Sequence, residues 1–97
     1  MLKDAQKKFL RGRAHGLKPV VWIGGSGFSD TVSAEIEQAL ASHELIKIRI
    51  RVGDSAMRDE FIQRICQASK AELVQRIGNT AIFYRTNPEL TGIVIPA

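Results

Sequence analysis

The stretch IKIRIRV (residues 46–52) alternates strictly between aliphatic and cationic side chains. An alternation with a period of two is the pattern of a β-strand that has one buried face and one polar face. Four aliphatic side chains then face a core, and three cations point the other way. Because burying three unpaired cations would be prohibitively costly, we expect a two-layer arrangement in which the helices lie mainly on one side of the sheet.

Upstream of this strand, the pattern predicts two helices with a short strand between them. Apolar residues recur near the 3.6-residue period over residues 2–14, and again from a capping residue, Ser29 or Asp30, to Leu40. Between these segments lies VVWI (residues 20–23), a mostly β-branched apolar run that is typical of a buried strand. The chain before residue 46 is therefore predicted to be α-β-α.

Downstream, one more helix and a β-hairpin are predicted. The turn at Gly53-Asp54-Ser55 caps a third helix, whose apolar residues as far as Ile65 face inward. Two strands at 73–77 and 81–85 flank Gly78-Asn79-Thr80, because Gly-Asn is a hairpin signal. The segment at 87–96 is expected to add a short edge to the sheet.

The resulting order is α-β-α-β-α-β-β, which defines an α/β fold. Two strand–helix–strand crossovers favour parallel neighbours, and the closing hairpin adds an antiparallel strand. The sequence thus predicts a mixed four-stranded sheet. A chain of 97 residues has room for one domain, residues 1–97.

Composition and motifs argue against several classes of function. The lone Cys66 excludes an intramolecular disulfide and a multi-cysteine zinc site, and it fits a reducing cytoplasm. No apolar run approaches the roughly 18 residues of a membrane span. The glycines after Ile23 lack the lysine of a Walker loop, and Asp30 stands where a dinucleotide fingerprint needs its third glycine. His15 and His43 have no companion at catalytic or metal-ligand spacing, so we expect no enzyme, cofactor or metal; phosphate chemistry through these histidines is the remaining alternative.

The cations are more informative, because the net charge is +4 and its distribution is uneven. The first 18 residues carry six cations against the single acid Asp4. A second group on one face of the strand at 46–52 is mildly self-repulsive, which an RNA or DNA backbone would relieve. Solvation of a charged face explains the same pattern, and both interpretations stay open. The two groups are Lys3, Lys7, Lys8, Arg11, Arg13 and Lys18, and Lys47, Arg49 and Arg51.

The segment Gly24-Gly25-Ser26-Gly27 joins the first strand to the second helix. Such a loop presents backbone N–H groups at the positive end of a helix, where phosphate binds. The carboxylate of Asp30 would compete with that phosphate, and a permissive turn is the simpler explanation of the glycines. In a parallel crossover Arg51 should lie near the loop, and Lys3 and Lys7 should approach it if the first helix folds back along its strand.

Three blocks of the chain match a known family in the same order: LRGRAHGLKPVVWIGGSGFSD (10–30), EIEQALASHELIKIRI (35–50) and LVQRIGNTAIFYR (73–85). They closely resemble the bacterial YhbY family, which are stand-alone forms of the CRM (chloroplast RNA splicing and ribosome maturation) domain. The resemblance implies a fold like the C-terminal domain of translation initiation factor 3, preceded by an extra helix. The implied strand order is 1-2-4-3, with strand 4 antiparallel.

The resemblance also implies RNA binding, and association with precursors of the large ribosomal subunit during assembly. The RNA-binding loop of the family maps onto Gly24-Gly25-Ser26-Gly27, which is similar to the Gly-x-x-Gly loop of KH domains. We expect structured RNA to dock on six cations in addition to this loop: Lys7, Lys8, Arg11, Lys18, Arg49 and Arg51. The alternative is a protein-interaction module that joins ribosomal proteins through the sheet face or the apolar residues 93–95.

Overall fold

The computed structural model describes residues 2–25, 27–87 and 89. In this part of the chain the elements are α1 (Asp4–Ala14), β1 (Val21–Ile23), α2 (Asp30–Ser42), β2 (Leu45–Ile50), α3 (Ser55–Ser69), β3 (Glu72–Ile77) and β4 (Thr80–Tyr84). The strands form one sheet in the order β1-β2-β4-β3, in which β1 and β2 are parallel and β4 is antiparallel to both of its neighbours. The predicted fold class and strand order are confirmed. The edge segment predicted at 87–96 falls almost entirely outside the described residues.

The strand β2 begins one residue earlier than the predicted strand at 46–52 and ends two residues earlier. Arg51 lies just beyond it, although its backbone N–H still donates to the carbonyl of Ile23 at 2.8 Å. The chain leaves the sheet at this point because Gly53, with a φ of +41°, turns it towards α3. The carboxyl ends of β1 and β2 therefore lie side by side, as a parallel pair requires.

The larger core lies between the sheet and the two helices α2 and α3. Ile48 of β2 and Phe83 of β4 are fully buried in one cluster with Ile36 of α2 and Ile65 of α3. This face of β2 carries the even-numbered residues of the alternating stretch, as the pattern predicted.

The helix α1 packs on the opposite face of the sheet and covers part of it. Its buried Leu10 and Ala14 form a second core with Leu45, Val74 and Ile82 from the three strands β2, β3 and β4. The expectation that the helices lie mainly on one side therefore holds for α2 and α3, and α1 is the exception. Apolar periodicity identifies the inward stripe of a helix, but it does not identify the face on which that stripe packs.

The helix α1 begins at the end of the sheet that is remote from the glycine loop. The backbone N–H of Leu2 donates to Glu72 Oε1 at 2.9 Å. Glu72 is in register with Tyr84, which is in register with Leu45 at the start of β2. The glycine loop follows the opposite end of this parallel pair, so the expectation that Lys3 approaches the loop is wrong.

Cys66 lies on α3 and packs, half-buried, against the larger core. Burial raises the pKa of its thiol; a hydrogen bond with the Leu73 backbone opposes this effect, and the Glu72 carboxylate adds to it. No described helix is long and apolar enough to cross a membrane. Within the same residues, no group of three or more His, Cys, Asp or Glu side chains is arranged to hold a metal ion.

Candidate nucleic-acid interface

The glycine loop between β1 and α2 has one packed side and one open side. Gly27 donates its N–H to the carbonyl of Gly24 at 2.9 Å and takes a φ of +73°, which few side chains tolerate. A Cβ at Gly27 would stand 3.3 Å from the Phe61 ring, whereas one at Gly24 or Gly25 would meet nothing within 4 Å. Ser26 lies outside the described residues. Gly27 therefore shapes the turn, while Gly24 and Gly25 present open backbone to solvent.

The first turn of α2 already holds two polar side chains. Ser29 is the N-cap, and its Oγ accepts from the N–H of Val32 at 3.2 Å. Asp30, the other predicted cap, is exposed in the first turn. A carboxylate at the positive end of a helix is itself stabilised by the helix dipole, and it repels a phosphate. A phosphate at this loop must therefore rely on the open backbone before the helix and on nearby cations.

One such cation, Arg64 of α3, was missed by the sequence interpretation. Its guanidinium lies 5.4 Å from the ring centroid of Phe28 and 6.0 Å from that of Phe61. Cation–π contacts of this kind hold an arginine in place while its charge stays accessible. Because Phe61 also packs under Gly27, Arg64 is positioned next to the glycine loop. Its only signal in the sequence was the i, i+3 spacing from Phe61, which places both on one side of a helix.

Two cations of β2 project from the sheet on the face that α1 covers in part. Ile48 points into the larger core, so Lys47 and Arg49 on either side of it point the opposite way. Neither of them forms an ion pair within the described residues, and Arg51 beyond the strand forms none either. In the described part of the chain, two arginines form ion pairs elsewhere: Arg76 with Asp59, and Arg85 with Glu37.

The remaining predicted cations belong to α1 and the segment that follows it. Lys7 and Arg11 are half-buried beside the apolar stripe of α1, and Lys8 is exposed. Lys18 is exposed after the helix, and it lines a cavity of about 210 Å³ together with Lys47. The structure thus brings the cations of the first segment and those of β2 to the same side of the sheet.

The acidic side chains are concentrated on the other side. The helices α2 and α3, with the cap of α3, carry six acids and two arginines. Residues 2–20 together with Lys47 and Arg49 carry eight cations and the acid Asp4, and Glu72, which accepts from the Leu2 N–H, is a second acid on this side. This segregation of charge directs a polyanion towards the side of the sheet that carries α1. The six acids are Asp30, Glu35, Glu37, Asp54, Asp59 and Glu60.

Trp22 is a further residue that the sequence interpretation placed wrongly. The apolar run at 20–23 predicted a buried strand, which is confirmed for Val21 and Ile23. It is wrong for Trp22, whose exposed fraction is 60%, and for Val20, which precedes β1 and is 48% exposed. The reason is that, among the described residues, β1 is an edge strand of the sheet and contributes no residue to the core beneath α1. Trp22 pairs in register with Arg49, so both side chains project from the same face.

The predicted cations therefore lie in three places. Arg49 and Arg51 lie at the glycine-loop end of the sheet, whereas the cations of α1 lie on a helix that begins at the opposite end. Lys18 follows that helix and shares a cavity with Lys47 of β2. Contact of any of these cations with RNA stays a prediction.

A model of the CRS1 / YhbY (CRM) domain family matches residues 2–85, which include every helix and strand described above. The chain belongs to this family. An RNA-binding protein of Haemophilus influenzae is 44% identical over 88 residues, which cover 91% of this chain and 89% of that protein. YqeI of Bacillus subtilis, named a probable RNA-binding protein, is 34% identical over 96 residues, covering 99% of this chain and 100% of the relative. The solution structure of a Staphylococcus aureus protein, named a putative RNA binding protein, matches with a TM-score of 0.86 at 32% identity, over 99% of this chain and 100% of that one.

The CRM assignment confirms the resemblance found in the three sequence blocks. It also agrees with the fold, because the similar solved structure covers nearly the whole chain. The names of the relatives concern RNA binding, and they specify neither an RNA target nor a catalysed reaction.

Proposed function

We propose that this CRM-domain chain binds RNA, without catalysis, on the side of the sheet that carries α1. The observation that carries the proposal is the charge segregation, which leaves the cations of α1 and β2 without acidic partners among the described residues. The names of the relatives support the same function.

The proposed contacts are mainly to the phosphate backbone. Lysine and arginine side chains neutralise phosphates and release counterions, which gives affinity and position but little sequence information. At Gly24 and Gly25 no side chain intervenes, so a phosphodiester can approach the backbone N–H groups closely. The proposed RNA-binding residues are Gly24, Gly25, Ser26, Gly27, Lys7, Lys8, Arg11, Lys18, Arg49 and Arg51.

The proposed ligand is RNA of a large-subunit precursor, bound during ribosome assembly in the cytoplasm. Support for this finer statement comes from the YhbY resemblance of the three sequence blocks. Recognition would then depend on RNA shape or on unpaired bases, because phosphate contacts alone do not select a sequence. Ribosomal proteins are the alternative partners.

Binding to large-subunit precursor RNA at several salt concentrations tests the proposal. The logarithm of the affinity should fall linearly with the logarithm of the salt concentration, by about 0.7–0.9 for each phosphate contact. Arg49→Gln should weaken binding and reduce this slope by about one contact. The matched variant Lys70→Gln removes a charge from the C-cap of α3, outside the proposed face, and should leave the slope unchanged. A wild-type slope near zero would refute the proposal and favour the protein-interaction module.

A second pair of variants tests the glycine loop by itself. Gly25→Asp introduces a carboxylate without a clash, because nothing lies within 4 Å of a Cβ at this position. Gly25→Asn adds nearly the same volume without the charge. A phosphate site at the loop predicts that the Asp variant binds RNA more weakly than the Asn variant at equal melting temperature. Equal affinities would exclude the loop from the interface and leave the basic side of the sheet as the binding surface.

A further inference from the structure

A row of four residues crosses the sheet on the α1 side, at the end next to the glycine loop. The strand register aligns Trp22 with Arg49, Arg49 with Thr80, and Thr80 with Ile77. These four residues, the open row, span all four strands. Because partners in register project from the same face, their side chains lie next to one another on one surface.

The open row is accessible because α1 covers a different part of the sheet. The core beneath α1 includes Leu45, Ile82 and Tyr84, which lie towards the other end of the strands. At the ends of the open row, the exposed fraction is 60% for Trp22 and 62% for Ile77. Tryptophan is highly buried on average in soluble proteins, so the exposed indole of Trp22 is a candidate for contact with a ligand.

The charges on this surface indicate its occupant. Arg49 is beside Trp22 in the row, and Lys47 projects from the same face of β2. Neither cation has an ion-pair partner in the described part of the chain, and the row itself contains no acid. An apolar protein surface would desolvate these cations at a high cost. Single-stranded RNA instead offers a base to the indole and phosphates to the cations.

We propose that Trp22 stacks on an unpaired nucleobase while Arg49 and Lys47 bind the adjacent phosphates. This inference rests on the proposed RNA-binding function and adds to it a site for single-stranded RNA. Trp22 precedes Gly24 by two residues, so the site is continuous with the glycine loop. Since every base has a π-face, the site selects unpaired RNA and tolerates different sequences.

The fluorescence of Trp22 tests the proposal directly, because the chain contains 1 tryptophan. A single-stranded oligoribonucleotide should quench this fluorescence with the same midpoint as its binding curve. Inorganic polyphosphate carries the charge without the bases, and it should bind with little quenching. An RNA duplex, whose bases are already stacked within the helix, should also give little quenching.

Substitution of Trp22 separates stacking from charge. Trp22→Ala should lower the affinity for the single strand about 5- to 150-fold, which corresponds to the usual strength of base–aromatic stacking. Trp22→Phe retains a ring and should retain most of the affinity. Both variants should keep the wild-type salt slope because no charge is removed, whereas Arg49→Gln should reduce it. Circular dichroism should show all three variants folded, since the replaced side chains are exposed.

Failure of this inference is distinguishable from failure of the proposed function. A wild-type protein that does not bind RNA refutes both. Salt-dependent RNA binding with unchanged affinity in Trp22→Ala and no quenching in the wild type refutes stacking alone. Quenching by polyphosphate as strong as that by RNA also overturns the stacking site.

Discussion

Replacing Gly27 with alanine should destabilise the domain without changing its charge. Gly27 takes a φ of +73°, a left-handed conformation that costs an L-residue about 1–2 kcal/mol. The added methyl group would also stand 3.3 Å from Phe61 Cζ and 3.6 Å from Cε1, so the ring must shift slightly. Alanine also reduces the conformational entropy of the unfolded chain, and this effect offsets about 0.4–1 kcal/mol of that destabilisation. The expected net loss of unfolding free energy is therefore about 1 kcal/mol.

Thermal unfolding followed by circular dichroism measures this loss. In a domain of this size, about 1 kcal/mol lowers the melting temperature by about 4–8 °C. Gly25→Ala is the matched control, because a Cβ there meets nothing within 4 Å and Gly25 does not take a positive φ. Its melting temperature should equal that of the wild type or rise slightly.

The comparison of the two alanine variants can refute the roles assigned to the two glycines, in which Gly27 shapes the turn and Gly25 presents open backbone. Equal melting temperatures would mean that Gly27 does not hold a left-handed turn against Phe61. A less stable Gly25→Ala would reverse the roles of the two glycines, and it would remove the reason for testing phosphate binding at Gly25.

Three further predictions concern stability and reactivity. Lys70 ends α3 with a φ of 63°, so Lys70→Gly should raise the unfolding free energy in urea by about 0.5–1 kcal/mol, while Lys70→Ala should not. Asp54 Oδ1 accepts from the N–H of Met57 at 2.9 Å, so Asp54→Ala should lower the unfolding free energy by about 1 kcal/mol and Asp54→Ser should largely preserve it. Burial raises the pKa of the Cys66 thiol, so iodoacetamide should modify the native protein more slowly than the urea-unfolded protein at pH 8. As the pH rises, the Cys66 thiol loses its proton in the unfolded protein before it does so in the folded protein. The free energy of unfolding should therefore fall as the pH rises above about 8.5.

The turns and the order of the elements could be predicted because their causes are local. Ser29 and Asp54 cap their helices through bonds to N–H groups three residues away. Gly78 takes a φ of +56° while Asn79 does not take a positive φ, as in a type II′ hairpin turn, and the strands pair directly across it. These helix caps and this hairpin turn depend on residues only a few positions apart, so a short stretch of sequence contains both partners of each interaction.

The strand order and the position of α1 depend on contacts between distant parts of the chain. Crossovers and a hairpin favour a mixed sheet, but the order β1-β2-β4-β3 was implied by the family resemblance. The stripe with Leu10 packs in a core that includes Val74 from another part of the chain. Trp22 was placed wrongly for the same reason. An apolar run predicts a buried strand, but the part of the sheet that α1 covers determines which residues of β1 are exposed to solvent.

The glycine loop depends on its neighbours for any affinity for phosphate. Ser29 already satisfies one N–H group in the first turn of α2, and the carboxylate of Asp30 lies at the positive end of the helix. A phosphate there gains little from the helix dipole. Positive charge comes instead from Arg51, whose backbone bonds to Ile23 just before the loop, and from Arg64 on α3. The glycines allow a phosphate to approach the backbone closely, but the cations that follow β2 and lie on α3 determine whether its binding is favourable.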